Sequence, residues 1–105
     1  MKQAFQFSIE NHPGTVTVFI ASSFWEKLCG LLGTDSLAAH TGLLLRNCRA
    51  IHMFGMRYAI DLVYVDKEYR IAGLVREIQP WHMSFCLRAR HTIELPAGTI
   101  EELSL

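Results

Sequence analysis

The sequence predicts a mainly β domain, a small barrel or sandwich built on an antiparallel or mixed sheet. Short runs rich in Val, Ile, Thr and aromatic residues recur along the 105 residues, bounded by turn sequences such as Asn-His-Pro-Gly and Pro-Ala-Gly. Only residues 23–32, approximately, combine a clear helical period with capping residues, so we expect one principal helix and otherwise short helical turns. The length fits a single domain that spans residues 1–105.

The predicted elements follow one another in a simple order. The first two strands, separated by Asn-His-Pro-Gly, are expected to form an opening hairpin. The principal helix then begins at Ser22 or Ser23 and ends at Gly33. The predicted strands are Phe5–Ile9, Thr15–Ile20, Leu43–Leu45, Ile60–Val65, Arg70–Ile78 and His91–Leu95, and a helical turn is predicted within Thr99–Leu105.

The balance of charge argues against a polyanionic partner. Ten basic and ten acidic side chains cancel, so neither nucleic acid nor an anionic membrane surface is indicated. No run of about 18 apolar residues could span a membrane. Three cysteines without a Cys-x-x-Cys pair favour reduced thiols in the cytoplasm, and export is the alternative if a leader has been removed.

Basic side chains are nevertheless concentrated in two stretches, 36–60 and 78–93, that contain no Asp or Glu. If the two stretches meet in the fold, their arginines form a local positive surface. The alternative is a set of separate, solvated arginines. The side chains concerned are Arg46, Arg49, Arg57, Arg88 and Arg90.

Asp61 is the residue of the predicted strand Ile60–Val65 that packing explains least. Aspartate is depleted in strands, and a buried carboxylate without a partner costs several kcal/mol. One interpretation is structural: Asp61 caps backbone N–H groups near the bend after Gly55, or pairs with Arg57. The other is functional, with Asp61 as a ligand-binding or catalytic carboxylate.

An enzymatic alternative would use His52 as a base that Asp61 orients, with Cys48 as a further catalytic candidate, in a hydrolase-type reaction. The sequence contains no Ser-centred elbow, phosphate-binding loop or dinucleotide-binding glycine pattern. On this basis we lean towards a protein that is not an enzyme.

A metal site is a further alternative. The spacing Cys48-x3-His52 is mirrored by His82-x3-Cys86, and two Cys with two His can hold tetrahedral Zn²⁺. Methionines close by in the sequence also suit Cu(I). Neither segment has a clear helical pattern, and methionine more often fills irregular core, so no cofactor is expected.

Four sequence elements stand in a characteristic order. They are Trp25–Gly33 (WEKLCGLLG), Gly42–Leu45 (GLLL), His52–Asp66 with Met56 and Ile60-Asp61 inside it, and Ile93–Gly98 (IELPAG). With these elements the chain, from about Thr15 onward, resembles the domain of unknown function 192 family. The resemblance implies a compact β-rich domain and no assigned activity.

The chain also departs from the pattern of that family. Glu26-Lys27 replaces the arginine common before the Gly-Leu element, and Tyr69 stands where a hairpin-loop glycine is usual. The family usually continues past the Pro-Ala-Gly turn to a further C-terminal strand, which is missing up to Leu105. An exposed sheet edge is therefore expected, in a monomer or an edge-paired dimer.

These observations predict a non-enzymatic binding or interaction module with a pocket for a small anionic or amphipathic ligand. The partner would be a small molecule or a protein. Arginine favours carboxylate or phosphate, and a nearby apolar wall favours burial of the rest of the ligand. The predicted ligand-binding residues are Arg49, His52, Met56, Arg57, Asp61 and Arg88.

Overall fold

The computed structural model describes residues 4–8, 15–21 and 41–105, which contain eight strands and one short helix. The predicted principal helix, at about 23–32, lies outside these residues. The elements are β1 (Ala4–Ser8), β2 (Thr15–Ala21), β3 (Thr41–Leu45), β4 (Ala50–His52), β5 (Ile60–Val65), β6 (Ile71–Ile78), β7 (Met83–Phe85), β8 (His91–Pro96) and α1 (Thr99–Glu102).

Six of these strands form one mixed sheet in the order β1-β2-β3-β8-β5-β6, and β4 pairs with β7 in a second sheet. β2 and β3 run parallel, whereas the other pairs are antiparallel, including the predicted β1–β2 hairpin. Among the described strands the larger sheet is open, with β1 and β6 at its edges. The predicted mainly β fold, of the small barrel- or sandwich-like kind, is therefore confirmed.

Both faces of the larger sheet are buried around β5, which lies between β8 and the edge strand β6 and whose residues are all buried. On one face Leu62 and Tyr64 pack in a cluster that includes Ile51 and Met53 from the β4 region, so the smaller sheet covers this face. On the other face Val63 and Val65 pack with Ile100 of α1 and with Leu103, which directly follows the helix. β5 thus joins two cores, and its bounds match the predicted strand Ile60–Val65.

The smaller sheet was not expected from the sequence. β4 and β7 have three residues each, and the large apolar side chains of β7, Met83 and Phe85, face outward rather than into the core. A search for strands whose apolar side chains face the core therefore does not identify β7. Its pairing, Ala50 with Phe85 and His52 with Met83, brings the two acid-free stretches together.

Asp61 lies where β5, β6 and α1 meet, and it is fully buried. The β5–β6 register shifts between Ile60 and Leu62, and in the resulting bulge Glu77 has a left-handed φ of 50°. Asp61 Oδ1 accepts the backbone N–H of Glu77 at 2.8 Å, and Oδ2 accepts that of Ile100 at 2.8 Å. The carboxylate thus caps backbone N–H groups, as in the structural interpretation, but those of β6 and α1 instead of groups near Gly55.

We expect Asp61→Ala to lower the free energy of unfolding by roughly 3–5 kcal/mol, because two buried N–H groups lose a charged acceptor. Asp66→Ala is a matched control, since Asp66 Oδ1 also accepts two backbone N–H groups, those of Glu68 and Arg70, in an exposed turn. There, water can replace the carboxylate, so the loss should be several-fold smaller. Urea unfolding measures both; equal losses would contradict a structural role specific to Asp61.

Candidate functional site

Large apolar side chains project outward from the segment that contains β7. They occupy every second position from 81 to 87, and successive strand residues point to opposite faces, so Met83 and Phe85 share the outer face of the smaller sheet. Trp81 and Leu87 continue the spacing beyond the ends of β7. The exposed fractions are 66% for Trp81, 71% for Met83, 71% for Phe85 and 76% for Leu87. We call these four side chains the apolar stripe.

Aromatic rings extend one end of the stripe. The ring of Trp81 stacks on that of Phe54, with centroids 5.9 Å apart, and Phe54 lies 5.0 Å from the ring of His52. The backbone N–H of Trp81 donates to the carbonyl oxygen of Met53 at 2.8 Å, which fixes the start of the stripe against the loop after β4. His52, a predicted site residue, is exposed here and pairs with Met83 across the two strands.

Four exposed arginines lie at the other end of the stripe, where residues 46–49 run beside residues 88–91. The backbone N–H of Cys48 donates to the carbonyl oxygen of Arg90 at 3.0 Å. Arg49 Nε donates to the carbonyl oxygen of Ala89 at 2.8 Å, which fixes that guanidinium. We call Arg46, Arg49, Arg88 and Arg90 the arginine corner.

His91 lies beside the arginine corner, and the charge of the corner affects the pKa of its imidazole. Its Nδ1 accepts the backbone N–H of Asn47 at 3.0 Å, so its neutral form carries the proton on Nε2. Burial, followed by the positive charges of Arg90 and Arg46, lowers the pKa of His91. On its other side the ring of Tyr69 stacks at 4.9 Å and 16°. The corner is thus a positive surface built against a neutral, packed imidazole.

The structure separates the six predicted ligand-binding residues. Arg49 and Arg88 belong to the arginine corner, and exposed His52 lies at the far end of the stripe. Met56 and Asp61 are buried in the core. Arg57 is exposed, but it precedes β5, whereas the corner adjoins the last residue of β5 through the bond from the Arg90 N–H to the Val65 carbonyl. A strand of that length spans about 17 Å, so Arg57 is not part of the corner.

The catalytic candidates are not brought together. Both oxygens of Asp61 bind backbone N–H groups, and none of the hydrogen bonds within 41–105 joins Asp61 to His52 or Cys48. The Cys48 thiol donates instead to the carbonyl oxygen of Ala50 at 3.1 Å. The convergence that a base, its orienting carboxylate and a nucleophile require is therefore not formed.

The mirrored Cys and His residues do not assemble either. Within the described parts of the chain no three His, Cys, Asp or Glu side chains are grouped so that they could hold a metal ion. Cys48 and Cys86 are half-buried and pack against the core cluster beneath the smaller sheet, whereas His52 and His82 are exposed. The four residues therefore do not form the tetrahedral set that their spacing suggested.

Glu94 is a buried titratable group that the sequence interpretation did not single out. On β8 it lies opposite Leu43 of β3 and Leu62 of β5, with 3% of its surface exposed. Burial raises the pKa of Glu94 to about 8, so its carboxyl is mostly protonated at neutral pH. A charged residue between Ile93 and Leu95 in a predicted strand was the available signal, of the same kind as Asp61.

Glu94 shares its face of the sheet with Tyr64. Burial raises the pKa of Tyr64, and Cys86, Cys48 and Glu94 lie close enough to raise it further, while a hydrogen bond to Ser84 opposes them. That bond runs from the Tyr64 hydroxyl to Ser84 Oγ at 2.8 Å and ties β5 to β7. The buried hydroxyl of Tyr64 thus has a hydrogen-bond partner in the smaller sheet.

The architecture defines a class: a mainly β domain in which a six-stranded mixed sheet is covered by a two-stranded sheet on one face and by a short helix on the other. The sequence profile of DUF192, described as Uncharacterized ACR, matches residues 6–105, and the chain belongs to this family. No helix in the described segments has the length and hydropathy needed to cross a bilayer.

Relatives with similar sequences carry the name UPF0127 protein. One, from Pyrococcus horikoshii, is 32% identical over 90 residues, which cover 82% of this chain and 77% of the relative. Another, from Thermococcus sibiricus, is 30% identical over 95 residues, or 86% of this chain. The match spans only 61% of the Thermococcus protein, about three-fifths of its length.

Two solved structures share the fold. A putative transcription regulator from Sinorhizobium meliloti matches with a TM-score of 0.77 and 18% identity, over 88% of this chain and 77% of that one. A protein of unknown function from Novosphingobium aromaticivorans matches with a TM-score of 0.74 and 17% identity, over 88% and 72% of the two chains. At such identities the similarity concerns the fold alone.

Glu94 predicts a pH-dependent stability. Because its folded-state pKa of about 8 lies above its ordinary value of 4.5, the folded protein retains a proton that the unfolded chain loses between these pH values. The free energy of unfolding should therefore fall as the pH rises through this window, by up to about 1.4 kcal/mol per pH unit, and level off above it.

Glu94→Gln should remove this slope, because glutamine has similar size and no charge. Urea unfolding of both proteins between pH 6.8 and 8.0 isolates the effect in the difference of their slopes, since His91, whose pKa is lowered, contributes equally to both. Equal slopes in the two proteins would show that Glu94 does not hold the proton.

Proposed function

We propose that this chain is a non-enzymatic binding module whose ligand is an amphipathic anion. The anionic group binds at the arginine corner, and the apolar part lies on the apolar stripe. The observation that carries the proposal is that the stripe and the corner adjoin along the backbone. Leu87, the last stripe residue, is followed directly by Arg88, and Arg49 Nε donates to the carbonyl oxygen of Ala89.

The electrostatics of the corner support the anionic half. No Asp or Glu occurs in 42–60 or 78–93, so no acidic side chain from these stretches neutralises the corner. Guanidinium groups recognise carboxylate and phosphate through paired, charge-assisted hydrogen bonds. The bond from Arg49 Nε to Ala89 already orders one guanidinium, which reduces the side-chain entropy lost when an anion binds.

The stripe supports the apolar half. Contiguous exposed apolar side chains are uncommon on monomeric proteins and mark interaction sites. Of the ligand residues expected from the sequence, Arg49, His52 and Arg88 remain in the proposal. Met56 and Asp61 are buried and are not part of the proposed surface: Met56 packs in the core, and Asp61 binds backbone N–H groups of β6 and α1.

The cytoplasm is the compartment that we propose for this function. Cys48 and Cys86 are free thiols, and free thiols are typical of reducing compartments. The proposal therefore predicts that the protein binds its ligand while Cys48 and Cys86 are reduced.

Titration of the ¹⁵N-labelled protein with decanoate, decanol and acetate tests the proposed function. We expect decanoate to shift the amide signals of the stripe and the corner. Decanol, which has the same tail without the charge, and acetate, which has the charge without the tail, should bind at least about tenfold more weakly. Equal binding of decanoate and decanol would contradict the role of the corner.

Variants locate the site. The double variant Arg49→Gln/Arg88→Gln should weaken decanoate binding about tenfold or more, because two charge-assisted contacts are lost. Arg76→Gln is the matched control: it removes an exposed arginine from β6, outside the corner, and should leave the affinity unchanged. If Arg76→Gln has the same effect as the double variant, the anion responds to net charge and the corner is not its site.

A further inference from the structure

We propose that the occupant of this surface is an extended, acidic protein segment, with apolar side chains along the stripe and acidic residues at the arginine corner. This inference rests on the proposed function and names its ligand class. A small amphipathic molecule such as decanoate would occupy only part of the surface.

The openness of the stripe favours a polypeptide. Sites for small molecules are concave and bury most of the ligand surface. Met83 and Phe85 instead lie on the outer face of a two-stranded sheet, and the exposed fractions of the four stripe side chains run from 66% to 76%. A lone acyl chain on such a face would keep much of its own surface in water. An extended segment buries one face against the stripe and presents its polar groups on the other.

The spacing of the stripe matches an extended chain. Met83 and Phe85 alternate as side chains on one face of a strand do, and Trp81 and Leu87 lie in the turns at either end of β7. From Trp81 to Leu87 the backbone spans at most about 20 Å, the length of a strand of six or seven residues. Three or four alternate side chains of such a segment could therefore contact the stripe together.

The composition of the surface is that of a protein interface. Trp, Phe, Met and Arg are enriched where proteins meet, and Trp and Arg often contribute most of the binding energy. Trp81 is stacked on Phe54, and the Arg49 guanidinium is held by Ala89. Anchors at both ends of the surface are therefore ordered before binding.

The distribution of charge on the protein surface indicates where the acidic residues of the bound segment lie and in which direction the segment runs. The arginines lie beyond Leu87 at one end of the stripe, and aromatic residues with His52 lie at the other. A segment with acidic residues at one end complements this arrangement. A bilayer suits it less well, because interfacial anchoring places basic residues along a whole polar face beside the apolar one.

Three labelled peptides test the inference by fluorescence anisotropy with the whole chain. All three contain seven residues that alternate large apolar side chains with serine, followed by three glutamates, three lysines or three serines. We expect the glutamate peptide to bind at least tenfold more tightly than the other two. Phe85→Ser should weaken the binding of all three.

A charge reversal makes the test independent of folding defects. The double variant Arg49→Glu/Arg88→Glu should reverse the preference, so that the lysine peptide binds most tightly, which an unfolded protein would not do. Arg76→Glu, which changes the charge on β6 alone, should preserve the original order. Equal binding of the three peptides to the unchanged protein would overturn the inference.

Other occupants give different outcomes. If decanoate binds at the corner and no peptide binds, the inference is overturned and the proposed function stands. If neither decanoate nor any peptide binds, the inference and the proposed function are both overturned. Tighter binding to phosphatidylglycerol vesicles than to the glutamate peptide, with no binding to phosphatidylcholine vesicles, assigns the surface to a membrane. A dimer that Phe85→Ser dissociates and that excludes the peptide assigns it to a second copy.

Discussion

The two hydrogen bonds of the Asp61 carboxylate hold together the parts on which the rest of this structure depends. Ile100 N–H belongs to the first turn of α1, whose donors have no partner within the helix, and Glu77 N–H lies in the bulge of β6. One buried side chain satisfies both and so aligns the covering helix with the edge of the sheet. Since β5 also carries both core clusters, its position determines where the smaller sheet and its outer face lie.

The extent to which the sequence predicted this structure varied with the kind of element. The strand Ile60–Val65 was predicted with its observed bounds because all its residues are buried and most are apolar. β7 was missed because its large apolar side chains point outward. The partners of Asp61 are 16 and 39 residues away along the chain, so no local pattern could identify them.

The candidate site shows the same division between local and distant information. The two acid-free stretches and their arginines were visible as composition, but composition does not indicate which end of a strand each residue occupies. The β4–β7 pairing brings Arg49 close to Arg88, while β5 separates Arg57 from them. The zinc alternative rested on sequence spacing and the hydrolase alternative on residue type, and the backbone directs those side chains to different surroundings.

The Tyr69–His91 stack gives the β5–β6 turn a part in the dynamics of this surface. Tyr69 adopts a left-handed φ of 64°, a conformation that costs a non-glycine residue free energy and that glycine adopts readily. The stack offsets part of that cost and ties the turn to the imidazole beside Arg46 and Arg90. An occupant that rigidifies the arginines should therefore also slow the opening of the turn, so that hydrogen exchange at Arg70 would report on binding from outside the contact surface.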